Sequence, residues 1–108
     1  MNFDDYQKEA MKTAQYGVGN SLVYPALGLA GEAGEVANKV KKILRDDGGI
    51  LTEKVRLSIS GELGDVLWYL AAIANDLGIT LDVIAQDNII KLHDRNARGV
   101  ISGNGDNR

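Results

Sequence analysis

Gly61-Glu62-Leu63-Gly64-Asp65-Val66-Leu67-Trp68-Tyr69 is the stretch on which the reading of this chain turns. Its apolar residues do not alternate with polar ones, as a half-buried strand requires, but recur at the three, four and seven spacings of a helix. The same spacings run almost throughout the 108 residues, so the predicted class is all-α, a compact bundle of about four helices. Thirty residues upstream stands an echo, Gly31-Glu32-Ala33-Gly34-Glu35. Each copy sets two carboxylates three residues apart, on one helix face with Cβ atoms about 5 to 6 Å apart.

Local punctuation predicts where the helices lie. A first helix is expected from about Phe3 to Tyr16, with Phe3, Tyr6, Ala10, Met11 and Ala14 on one face, before the glycine-bearing loop Gly17-Val18-Gly19-Asn20. Pro25 suits the first turn of a second helix, where its missing N–H has no partner to lose, and that helix continues to about Arg45. Asp46-Asp47-Gly48-Gly49 breaks it. Thr52 is the expected N-cap of a third helix ending near Leu77, with Gly78 in the left-handed position. Thr80 caps a fourth, with Asp82 in its first turn, that stops near Gly99. Residues 1–99 thus read as one domain, and 100–108 as a polar, glycine-rich tail that orders only against a ligand or a neighbouring subunit.

Composition narrows the function classes. With no cysteine and one histidine, disulfides and thiolate or His-rich metal sites are excluded. A net charge of −3 argues against a protein that coats a nucleic-acid polymer, which needs a basic face to displace counterions. No uninterrupted apolar run approaches the roughly 20 residues of a bilayer span, and the start, Met1-Asn2-Phe3-Asp4-Asp5, is acidic where a signal peptide is basic. The expectation is a cytoplasmic protein without a membrane partner. So short a helical chain buries little surface alone, so a homodimer or homotetramer is expected.

A lone E-x-x-E on a helix is ordinarily a solvated face. Two copies are another matter, because like charges at this spacing repel and each glycine costs roughly 0.8 to 1.0 kcal/mol in a helix relative to alanine. Both features make sense if the second and third helices pack antiparallel, their glycines allowing close approach and Glu32, Glu35, Glu62 and Asp65 sharing hard divalent cations. Carboxylates without His or Cys suit magnesium. A di-iron bundle needs Glu-x-x-His, and the position three before His93 is Ile90.

Cationic stripes continue from the acids. Offsets of three, seven and ten from Glu32 reach Glu35, Lys39 and Lys42 within a sector of about 80 degrees. The same offsets from Asn88 reach Lys91, Arg95 and Arg98, a stripe able to clamp polyphosphate. The apolar neighbours of Asn88 and Lys91 suggest that this stripe borders packed core. Tyr69, seven residues after Glu62, returns close to the carboxylate face, whereas Trp68 points aside, towards core or a subunit interface, with stacking on a base as the alternative role.

Glu32-x-x-Glu35, 26 intervening residues, then Glu62-x-x-Asp65 resembles the metal-binding signature of the MazG-like nucleotide pyrophosphohydrolases, among the all-α NTP pyrophosphatases. The resemblance runs from Gly28-Leu29-Ala30-Gly31-Glu32 through Trp68-Tyr69 to Lys91-Leu92-x-x-Arg95-x-x-Arg98-Gly99. It implies a helical bundle assembled into dimers or tetramers, with active sites near subunit interfaces. It also implies magnesium held by Glu32, Glu35, Glu62 and Asp65 as two or more ions, with manganese able to substitute, and a reaction converting (d)NTP and water to (d)NMP and pyrophosphate. Carried over by position, Asn88 and Lys91 contact substrate, with Lys39, Lys42, Arg95 and Arg98 as further substrate-binding cations. Glu32 or Glu35 orients or deprotonates the water that attacks the α-phosphorus. The competing readings are a related pyrophosphohydrolase acting on dUTP or phosphoribosyl-ATP, and a non-catalytic helical interaction module.

Overall fold

The computed structural model describes Met1–Arg108. Four α-helices, α1 (Phe3–Met11), α2 (Val23–Asp46), α3 (Glu53–Asp76) and α4 (Leu81–Arg98), are joined by short connections, one of which carries a single 3-10 turn at Val18–Asn20; there is no strand. The caps fall where local chemistry puts them. Thr52 and Thr80 accept through their hydroxyls from the N–H groups of Val55 and Val83, and the Asn2 side-chain Oδ1 accepts from the Asp5 N–H. Gly78 and Gly99 close α3 and α4 with φ of 70° and 73°, values that a Cβ disfavours.

The first helix is shorter than expected, ending at Met11 rather than near Tyr16. Beyond it the Thr13 hydroxyl donates to the Ala10 carbonyl at 2.7 Å and also accepts from Trp68 Nε1 at 2.9 Å. Such side-chain bonds offer the backbone an alternative to a further helical turn. The chain from Lys12 to Leu22 therefore forms a strap leading into α2.

The long helices α2 and α3 make the most extensive pairing, while α1 lies on α3 and α4 packs mainly on α1, touching α3 only sparingly. Gln7, a buried polar side chain, ties these pieces. Its amide nitrogen donates to the Ala71 and Ile79 carbonyls, and its oxygen accepts from the Leu81 N–H at 3.0 Å. Around it sits a small core of Ala10, Ala71, Ala74 and Leu81, with Tyr6, Met11 and Trp68 packed against it.

The expectation of a compact bundle does not hold for the single chain. Its radius of gyration is 16.7 Å, against about 13 Å for a compact domain of this length. The reason is α4, which departs from the α2–α3 pair instead of closing the bundle. Large apolar side chains stay exposed along both long helices, among them Leu27 (70%) and Leu44 (72%) on α2 and Leu57, Leu63 and Leu70 on α3. Ile89 and Ile90 on α4 are exposed as well, so in one protomer the Asn88–Lys91 stretch does not border packed core. By length and mean hydropathy α3 also meets the measure of a membrane span, averaged across Glu62 and Asp65. Those two acids interrupt it, so the helix holds no uninterrupted apolar run of that length.

Glycine packing is a further correction. A Cβ at Gly31, Gly34, Gly61 or Gly64 would meet nothing within 4 Å, so these residues do not set the approach of α2 to α3. Gly28 does: a Cβ there would fall 2.1 Å from Tyr69 Cε1. Glu32, Glu62 and Asp65 meet between the two helices, and the glycine before each is turned about 100 degrees away.

Candidate functional site

Glu32 in the middle of α2 meets Glu62 and Asp65 in the middle of α3, and one carboxylate oxygen from each lies within 4.8 Å of the others. Glu35 stands outside this trio and is exposed, although its negative charge reaches Glu32. The crowding is visible in protonation. A hydrogen bond with Glu62, then desolvation and the charges of Asp65, Glu62 and Glu35, push the Glu32 carboxyl above its ordinary value. Lys39, about two helical turns beyond Glu32 on α2, sets its ammonium 3.5 Å from Glu62 and donates to the Ser58 hydroxyl at 2.8 Å. Lys42 makes no such contact with the acids. A cluster of oxygen donors whose mutual crowding raises the Glu32 pKa and that draws a lysine is short of positive charge. Its all-carboxylate chemistry fits a hard divalent cation such as magnesium.

Beside the acids opens a cavity of about 540 Å³ lined by Thr13, Gln15, Tyr16, Tyr24, Glu32, Asp65, Trp68 and Tyr69. Three of the four tyrosines and the lone tryptophan thus converge on one wall. Tyr16 and Tyr24 stack with centroids 5.0 Å apart and planes at 17°. Trp68 meets Tyr16 and Tyr69 edge-on at 6.5 and 5.1 Å. Burial, a hydrogen bond with Tyr24 and the negative field of Glu32 and Asp65 raise the Tyr69 hydroxyl above its usual value. Tyr69 borders the carboxylates as its spacing suggested, while Trp68 both packs on the core and faces the cavity.

The cationic stripe of α4 is not brought to these acids within one chain. Lys91 pairs with Asp106 at 2.5 Å, and Arg95, only 5% exposed, holds the same carboxylate at 2.9 Å. Arg98 engages Asp94 and the Arg108 carbonyl, and Asn88 is exposed. The tail, expected to order only against a ligand or neighbour, instead turns back on its own helix. Arg108 donates to the Val100, Ile101 and Gly105 carbonyls, and Lys91 and Arg95 pull the Asp106 carboxyl below its usual value. His93 is an exposed helix residue.

A model of the MazG nucleotide pyrophosphohydrolase domain matches residues 25–100, which include all four acids and the α4 stripe. The chain belongs to the MazG family. Its sequence is also 51% identical, over the full length of both chains, to the Gene 37 protein of Mycobacterium phage L5. No solved structure matches it. Beside the matched MazG segment, the cavity wall draws on four residues that lie before it, Thr13, Gln15, Tyr16 and Tyr24. Sequence reasoning missed these four. The available signal was compositional: in a chain with few aromatic residues, Tyr16 and Tyr24 flank a glycine-bearing loop next to the acid-bearing helix.

Proposed function

We propose that this MazG domain is a magnesium-dependent nucleoside triphosphate pyrophosphohydrolase, converting (d)NTP and water to (d)NMP and pyrophosphate. The observation that carries the reading is the meeting of Glu32, Glu62 and Asp65 at the edge of an aromatic cavity. Carboxylates suit the cations that accompany a triphosphate, and flat aromatic faces suit a base, so one site addresses both ends of a nucleotide. Glu32, Glu62 and Asp65 would hold the ions, with Glu35 joining from the exposed side of α2. Magnesium bound there would neutralise charge on the phosphates and make a bound water more acidic.

The chain's own residues supply the rest. Glu32, whose carboxyl is held above its ordinary value by the neighbouring acids, and Glu35 are the candidates to orient the attacking water or accept its proton as oxygen adds to the α-phosphorus and pyrophosphate departs. Lys39, close to Glu62, is positioned to exchange that carboxylate for a phosphate oxygen once cations arrive. Asn88, Lys91, Arg95 and Arg98, with Lys42, are the proposed phosphate contacts, the α4 group reaching the acids of a second copy. The assembly, a homodimer or homotetramer in the cytoplasm, would cover the apolar faces of α2 and α3 that one chain leaves open.

The test is hydrolysis of the canonical and several damaged NTPs and dNTPs, with dUTP and phosphoribosyl-ATP, in magnesium and in manganese, with products read by anion exchange. Monophosphate and pyrophosphate in equal amounts are expected. Release of orthophosphate would assign different chemistry, and inertness towards every substrate together with no saturable magnesium binding would leave a helical interaction module. Sedimentation showing a fully active monomer would refute the assembly.

A further inference from the structure

Three contacts converge on one carboxylate at the end of α3. The Tyr16 hydroxyl donates to both oxygens of Asp76, at 2.8 and 2.9 Å, and the Leu22 N–H donates to Oδ2 at 2.9 Å. Leu22 is the sole non-glycine residue with positive φ, at 66° with ψ of −49°. The Val23 N–H reaches back to the Ser21 carbonyl at 2.7 Å, which makes Leu22 the centre of a γ-turn of the rare, strained hand. Such a backbone persists only when its surroundings over-determine it. The Leu22 side chain makes no capping bond for α2, so the acceptor at this helix start comes from Asp76, far along the sequence.

The strap fastened in this way carries a wall of the site. Tyr16 stacks on Tyr24, meets Trp68 edge-on and lines the cavity that includes Glu32 and Asp65. Its hydroxyl is held as a donor, with burial, then the hydrogen bond and charge of Asp76, pushing its pKa up to about 12. Asp76 itself does not line that cavity. Resting on the hydrolase reading above, we propose that Asp76 is a positioning residue for nucleobase recognition, fastening the 12–22 strap so that the Tyr16 ring is set against the base before substrate arrives. A preset wall spares the ligand the work of ordering it, so its loss falls on binding of the base-bearing half of the substrate.

The experiment compares wild type with Asp76→Asn and Tyr16→Phe in the full chain, measuring KM and kcat for a nucleoside triphosphate and inhibition by inorganic tripolyphosphate. Asp76→Asn removes the charge from this hydrogen bond and Tyr16→Phe removes the bond itself, so KM should rise on the order of tenfold. The change should fall on KM rather than kcat, with tripolyphosphate inhibition unaltered because that ligand has no base. Acrylamide should quench Trp68 more readily in both variants as the strap loosens. Unchanged KM in both variants would overturn the proposal, as would a parallel loss of tripolyphosphate inhibition, the mark of general damage. Should Asp76→Asn not fold, Tyr16→Phe decides alone. If wild type cleaves no nucleotide, the hydrolase reading fails separately, and unchanged quenching would then also refute Asp76 as the fastening of the strap.

Discussion

Replacing Gly28 by alanine tests the wall of the site through a single methyl group. A Cβ there would stand 2.1 Å from Cε1, 2.4 Å from Cζ and 2.6 Å from Cδ1 of Tyr69. Carbon atoms pack at about 3.5 to 4.0 Å, so the ring must retreat by roughly 1.5 Å. Its retreat is hindered by Trp68, edge-on with its centroid at 5.1 Å, and by Tyr24 at 6.4 Å. Overpacking of this kind costs about 1 to 3 kcal/mol, and a contact so short belongs near the upper end. Alanine returns roughly 0.8 to 1.0 kcal/mol of helix propensity, leaving a net loss of about 2 kcal/mol. For a domain of this size that lowers Tm by on the order of 10 °C. Far-UV circular dichroism melts of Gly28→Ala and Gly34→Ala provide the assay, because a methyl at Gly34 meets nothing within 4 Å in the protomer. Gly28→Ala should melt well below wild type and Gly34→Ala slightly above it. A Gly28→Ala protein as stable as wild type would refute the placement of the Tyr69 ring over α2.

The remaining predictions concern charge. The folded pKa of Glu32 lies above its ordinary value, so this group's contribution is fully present below the ordinary carboxylate range and is lost as pH rises through the raised value. In chelator, Glu32→Gln should therefore be less pH-dependent in Tm than wild type and more stable at neutral pH; a wild type equally stable there would contradict the crowding of the acids. Magnesium should raise the wild-type Tm, by mass action worth about 2.7 kcal/mol at a hundredfold excess over Kd, and the rise should shrink in Asp65→Asn; no response to magnesium would count against the site. Glu35→Gln and Asp65→Asn should both abolish hydrolysis while keeping the helical circular dichroism, and wild-type turnover by either at saturating magnesium would remove that residue from the site. Asp106→Asn should loosen the tail from Lys91 and Arg95, seen as faster proteolysis beyond Gly99; an unchanged cleavage rate would mean that these pairs do not hold it.

Helices, caps and the approximate position of the carboxylates were legible in the sequence because they depend on neighbours within about four residues. Thr52, Thr80, Gly78 and Gly99 mark their ends by bonds the local chain makes. The three-residue spacing within each acid pair places both members on one face whatever the helix packs against. The same locality explains the failures. The first helix stops at Met11 where Thr13 also bonds Trp68, 55 residues away. The choice of Gly28 rather than its neighbours as the close approach depends on where the Tyr69 ring falls. Which three of the four acids meet, how Tyr16 and Tyr24 join Trp68 and Tyr69, and which loop Asp76 fastens are set by the relative rotation of helices. No pattern along one helix encodes that rotation. The departure of α4 from the α2–α3 pair is likewise tertiary, because a periodic apolar face states that a helix will be covered without stating by what. The sequence by itself determined four helices and a pair of acid motifs, since hydrogen bonding and periodicity act within a few residues; only the tertiary structure decided which side chains share a site, since that depends on packing between segments far apart in the chain.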